Sequence, residues 1–314
     1  MPLPALLRLA FVVLLALRYR LKLILGIVVA VVIGLSLTFI SGKIYQHLDR
    51  DPDRGAIALE DGAFGESYST PIYLDQGWNP ADTLWYYNTT QGSALLPYDL
   101  FVALEQPASE ELFRSDHNMD RYRYLPQKPT FFNPDGLPVG FAKDSYQGKD
   151  YLGFTCAACH TGQVNYQGKA IRIDGGPALA DMDGFLHGLE KALSATRDIP
   201  AKRERFIDRV LQRDNDYPSP EAVEADLTQW TDQIRMYNTI NHSHIRYGYG
   251  RLDAFGRIYN RVLRHVVNRE QMRDLLLAAE GPTGELLLTD AEVDRVDAER
   301  HSDRHQQRGE HEDR

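Results

Sequence analysis

Cys156-Ala157-Ala158-Cys159-His160 sets two thiols on a single turn of backbone and an imidazole directly after them. Two thiols so spaced can add to the two vinyl groups of one porphyrin. The histidine that follows then lies under the ring and offers a nitrogen to its iron. The C-x-x-C-H spacing is the attachment motif of a c-type haem. Cys156 and Cys159 are the only cysteines of the chain. Three blander readings compete: a buried thiol pair, a thioredoxin-like redox pair, and half of a zinc site. A zinc site needs a second ligand pair, and Asn241-His242-Ser243-His244 is too tight and too distant to look like one. The expectation is one covalent haem c, with Cys156 and Cys159 as thioether sites and His160 as the metal ligand.

Haem of this kind is attached outside the bacterial inner membrane, so the chain needs an export element. Leu23 to Ile40 is an uncharged apolar run, long enough as a helix to span the hydrocarbon core. Arg8, Arg18, Arg20 and Lys22 precede it, which keeps the N-terminus inside. No small-x-small cleavage site follows the run, so it reads as an uncleaved signal anchor. The earlier patch Leu9 to Leu17 is too short to span alone. A two-helix hairpin would return the body to the cytoplasm, away from haem attachment. The expected organisation is a cytoplasmic basic segment (1–22), a transmembrane signal anchor (23–40), a linker (41–76), an exported c-type haem domain (77–296) and a disordered or frame-altered tail (297–314). The expected location is the bacterial inner membrane, single-pass, with the haem domain in the periplasm.

The 314 residues carry a formal net charge of −9. All charges before residue 44 are positive, so the exported part is more acidic still. That surface argues against nucleic acid. It suits an electron donor or acceptor protein of basic charge, and solubility explains it equally well.

Trp78 to Glu105 is dense in aromatics, which suits core packing with a share left for a haem pocket. Prolines 107, 126, 129, 134 and 138 mark residues 106–150 as loop-rich. Gln163 to Asp174 alternates around Gln167-Gly168 and reads as a short β-hairpin. Met182, Phe185, Leu186, Leu189 and Leu193 form one helical stripe behind an Asp cap. Val223, Leu227, Trp230, Ile234 and Tyr237 form a second, and Phe255 to Val266 a third. The fold class expected is mainly α: a cytochrome c-type haem domain with a short β-hairpin and an irregular N-terminal region, behind one transmembrane helix. Thr289 to Glu292 reads as a capping box, yet the stripe begun by Val293 and Val296 stops at once. Either the rest is a solvated tail, or the reading frame changes near Asp297 and the native C-terminal portion is missing.

Several strings resemble one family of exported bacterial cytochromes. They are Gln91-Gly92-Ser93 with Leu96-Pro97-Tyr98 and Ala103-Leu104-Glu105, Leu137-Pro138-Val139-Gly140-Phe141, Tyr151 to Gly162, Ile173-Asp174-Gly175-Gly176-Pro177, and Gly250 to Arg257. Over roughly residues 77–267 the chain is similar to the rubber-oxygenase-like di-haem cytochromes, distant relatives of the bacterial di-haem cytochrome c peroxidases. The resemblance implies a mostly helical periplasmic fold with two cytochrome c domains. One haem would bind dioxygen or peroxide and the other relay electrons. This chain has one C-x-x-C-H and ends where a second haem domain is expected. His160 carries over as the proximal ligand.

The sixth iron position decides between a closed electron carrier and an open, ligand-binding haem. The candidates are Met182, His187, Met119, His117, Met236, His242 and His244, with Met182 on a core stripe and His187 off it. Arg251, Asp253 and Arg257 could face haem propionates or lie on a solvated face. Two functions follow: a membrane-tethered cytochrome passing single electrons, or a haem-dependent oxygenase or peroxidase needing a second haem domain.

Overall fold

A computed structural model describes residues 3–241 and 248–250. Its first unit, residues 1–50, is built on one helix, α1 (Leu3–Gln46). At 44 residues it measures about 66 Å, roughly twice a hydrocarbon core. Its stretch Val13–Gln46 is long and apolar enough to cross a membrane. The expected boundaries at residues 22 and 40 are therefore not element boundaries. Ala5 to Lys22 is rich in Leu and Ala and free of Gly and Pro, so nothing ends the helix before the apolar run.

The second unit starts at Asp51. Its first elements are β1 (Thr70–Tyr73), α2 (Pro80–Asn88), β2 (Leu96–Pro97), α3 (Tyr98–Ala103) and α4 (Asp116–Arg121). Then come β3 (Phe141–Tyr146), β4 (Lys149–Phe154), the single turn α5 (Cys156–Cys159), β5 (Thr161–Tyr166) and β6 (Lys169–Asp174). Three helices follow: α6 (Met182–Asp198), α7 (Pro200–Leu211) and α8 (Pro220–Ile240). Helix is the larger share, but two three-stranded sheets, β1-β6-β5 and β2-β4-β3, make the body mixed α and β. This corrects the expectation of a mainly α domain with one hairpin.

The expected hairpin is present as β5–β6, with Gln163 paired to Arg172. The correction comes from β3–β4 and from β1, which runs parallel to β6. β1 lies inside the stretch expected to be a linker. Ala56 and Leu59 of that stretch also form bridges, to Gln127 and Tyr68. A four-residue strand is too short to display a period of two. Its partner, about a hundred positions on, leaves no local trace in the sequence.

Asp181 caps α6, its carboxylate accepting from the Gly184 N–H at 2.8 Å. Phe185, Leu186, Leu189 and Leu193 of the expected stripe are buried, with Met182 partly so. On α8, Val223, Leu227 and Ile234 are buried and Trp230 and Tyr237 half-buried against the same core. Phe185 sits among Phe101, Phe113, Tyr124, Phe141 and Phe154, with ring centroids 6.4, 5.8, 5.3, 5.5 and 6.0 Å away. Edge-on and tilted contacts of this kind favour aromatic pairs beyond their buried area. Helix α7, which carries only a short apolar stripe, is tied down by charge instead. Glu105 is 1% exposed and accepts from Lys202, Arg205 and Arg209. The third expected helix stripe (255–266), the capping box and the 297–314 tail lie outside the described residues.

Candidate haem-attachment site

Two β-hairpins flank the C-x-x-C-H turn, and both reverse on the same four residues. Tyr146-Gln147-Gly148-Lys149 closes β3–β4 and Tyr166-Gln167-Gly168-Lys169 closes β5–β6. In each turn Gln and Gly both have positive φ, at 51° and 77°, then 49° and 71°. That is the backbone of a two-residue type I′ turn, whose twist matches the strands it joins. The hairpins deliver the chain into Thr155 and take it away from His160.

Between them the turn is fixed by its own backbone. Thr155 caps α5: its hydroxyl accepts from the Ala157 N–H at 3.2 Å and donates to the Tyr87 carbonyl at 3.1 Å. The His160 N–H closes the turn on the Cys156 carbonyl at 2.9 Å. The His160 carbonyl accepts from the Tyr86 hydroxyl at 2.7 Å and from the Gly175 N–H at 2.8 Å. The Cys159 carbonyl accepts from the Ala178 N–H at 2.9 Å. Helix α2 and the loop after β6 thus grip the turn from both sides.

The faces of the turn differ sharply. Ala157 and Ala158 are buried, at 1% and 4% exposure. Cys156 and His160 are exposed and Cys159 is half-buried. Small residues go inward, and Cys156 and His160 are left open to solvent. Apolar surface remains beside them. Trp78, partly exposed, packs edge-on against Tyr86 at 5.1 Å, and the exposed Leu179 follows Ala178. This donor set and its accessibility fit a covalent haem, with Cys156 and Cys159 to hold it and His160 to reach the iron.

Gly140 explains how the turn can sit so deep. Its φ is +82°, and a Cβ placed there would lie 2.0 Å from the Ala158 nitrogen. Gly140→Ala is expected to lower stability by roughly 2–4 kcal/mol. Gly148 also has positive φ, +77°, but nothing lies within 4 Å of its Cβ. Gly148→Ala should cost only about 1 kcal/mol. Urea denaturation of both variants separates the clash from the strain.

The candidate sixth ligands are scattered. Met119 is fully buried in the main core and Met182 packs partly against it. His187 lies on α6 with Nδ1 2.9 Å from the Asp183 carbonyl oxygen. His117 is exposed on α4 and Met236 is exposed on α8. His242, His244, Arg251, Asp253 and Arg257 lie outside the described residues. Among the described residues, no group of three or more His, Cys, Asp or Glu side chains could hold a metal ion. The zinc reading therefore finds no completing ligands there. A cleft of about 390 Å³ opens beside the turn, lined by Thr161, Gln163, Asn165, Glu66, Arg123 and Leu179 among others.

Sequence reasoning missed the supporting residues. Tyr86, Tyr87 and Gly140 act through tertiary contacts, and only the aromatic density near Trp85 hinted at the first two. Burial pushes the Tyr86 hydroxyl up, and that of Tyr87 well up. Both stay protonated donors at neutral pH.

No protein-family model matches the chain. It is 32% identical over 217 residues to the uncharacterized protein y4iJ of Sinorhizobium fredii (strain NBRC 101917 / NGR234), covering 60% of this chain and 35% of that protein. The chain thus spans about a third of the length of the curated relative it matches. No solved structure matches it.

Proposed function

We propose that this chain is a membrane-anchored c-type cytochrome that holds one covalent haem and transfers single electrons. The observation that carries the reading is the attachment turn itself. Cys156 and His160 are exposed and Cys159 is half-buried, while the alanines between the cysteines are buried. Once bound, haem supplies a one-electron iron couple. The chain's own residues do the rest. Cys156 and Cys159 hold the ring. His160 is presented to the iron by a backbone that Tyr86 and Gly175 clamp. Helix α1 anchors the protein in the bacterial inner membrane, basic end inside, with the haem domain in the periplasm. The redox partner is an electron donor or acceptor protein, and the acidic composition favours a basic one.

The resemblance to the rubber-oxygenase-like di-haem cytochromes supports an exported haem protein. It also raises the alternative, dioxygen or peroxide activation together with a second haem domain. Carbon monoxide separates the two. A six-coordinate carrier keeps its reduced spectrum when the gas is added, and that is the result expected of the full chain. A shifted Soret band would mean an open iron and would replace electron transfer by oxygen or peroxide chemistry.

A further inference from the structure

Two charges are buried behind the attachment turn, on β6, the second strand of the hairpin that follows it. Arg172 of β6 is 0% exposed. Its Nε donates to Gln163 at 2.8 Å, and its two other nitrogens reach the Tyr73 hydroxyl and the Pro126 carbonyl at 3.4 Å each. Among the described residues no carboxylate forms a salt bridge with it. Asp174 lies two positions on, on the same face of the strand, and is 7% exposed. Its carboxylate accepts from the Tyr87 hydroxyl at 2.7 Å and from Thr83 at 3.5 Å. The Gln76 amide clamps the Asp174 backbone, accepting at 3.0 Å and donating at 2.8 Å. Tyr68 and Arg54 complete the ionisable surroundings of the pair.

Packing alone gives little reason for these charges. Replacing a buried ionic group by an apolar one of similar volume is often neutral or stabilising. Their place in the sheet gives a better reason. Asp174 pairs with Thr161, the residue after the iron ligand, and Arg172 pairs with Gln163. Gly175 meets the His160 carbonyl, Asp174 is one position from that contact and Arg172 two positions farther, so at about 3.3 Å per strand residue the two charges fall on the order of 5–15 Å from His160.

We propose that Arg172 and Asp174 set the reduction potential of the haem attached at Cys156 and Cys159, Arg172 raising it and Asp174 lowering it. The inference rests on the haem reading above. Reduction adds an electron to the iron, so a nearby positive charge favours the ferrous state and a negative one opposes it. Arginine cannot lose its proton in a protein, so its charge is permanent. Burial removes most salt screening. At an effective dielectric of about 20, one charge about 10–15 Å from the iron changes the ferrous-to-ferric ratio roughly 6- to 16-fold.

The test is a spectroelectrochemical titration of the full haem-loaded chain in detergent, at low and high salt. Arg172→Gln should lower the ferrous share several-fold at a fixed applied potential near the midpoint. Asp174→Asn should raise it, and Arg172→Lys should leave it near the unmodified value. These shifts should survive high salt. If Arg172→Gln does not take up haem, Asp174→Asn and Arg172→Lys still decide. Unchanged ratios in haem-loaded variants overturn the proposal. So do shifts of one sign for both charges, or shifts that vanish with salt. Absence of covalent haem from the unmodified chain, read before any titration, overturns the haem reading instead.

Discussion

Replacing Cys156 and Cys159 together by serine is expected to abolish covalent haem while leaving the fold standing. The reason is the asymmetry of the turn. Its packing is made by Ala157 and Ala158, and its shape by the Thr155 cap and the backbone bonds of Cys159 and His160. None of these needs a sulfur. Serine is nearly the same size, and at an exposed position such as Cys156 the substitution usually stays within about 0.5 kcal/mol. The single variants should each retain one thioether, so one vinyl group remains conjugated with the ring and the reduced α-band moves to longer wavelength. Acidified-acetone extraction followed by pyridine haemochrome reads all three proteins. Haem that resists extraction in the double variant would place the attachment elsewhere.

Glu105→Gln should be the most damaging single change away from the site. Glu105 receives Lys202 at 3.1 Å, Arg205 at 2.8 Å and Arg209 at 2.7 Å, three cations on successive turns of α7. Without its charge they crowd a neutral amide in a buried setting. Breaking such a site from one side costs about 3–5 kcal/mol. The pH dependence follows from the same contacts. Burial alone would raise the Glu105 carboxyl, but hydrogen bonds from Arg205, Lys202 and Arg209 bring it down to about 2. The folded value lies below the ordinary 4.5. The contribution is therefore complete above that pH and is lost as pH falls from there towards 2. Urea denaturation should find the variant far weaker at pH 7, with the gap closing in acid. A difference under 1 kcal/mol at neutral pH would mean that α7 is held by Phe206 and Val210 alone.

The β5–β6 hairpin and helices α6 and α8 were legible in the sequence because each is a local pattern: an alternation around Gln-Gly and two stripes of period 3.6. The β3–β4 hairpin carried the same signal. Tyr146-Gln147-Gly148-Lys149 repeats the residues of the later turn, but nearby prolines turned the reading to loop. Helix α7 falls in a stretch expected to be helical, but its bounds were not legible: Pro200 to Leu211 offers few apolar residues, and its anchor is a carboxylate about a hundred positions earlier. The grip on His160 was illegible for the same reason. Tyr86 meets the His160 carbonyl across 74 positions, and Gly140 is required by a backbone contact that spacing does not encode. The helix that carries the apolar run was legible in type but not in extent, since Leu- and Ala-rich sequence continues it towards the N-terminus.

Covalent haem at Cys156 and Cys159 is tested most directly by the intact mass of the full chain, made in cells with c-type maturation and denatured before measurement. The expected result is the polypeptide mass plus one haem, with the added mass on the peptide that contains Cys156 and Cys159. A chain that runs at its polypeptide mass under those conditions, with both thiols open to alkylation, would contradict it.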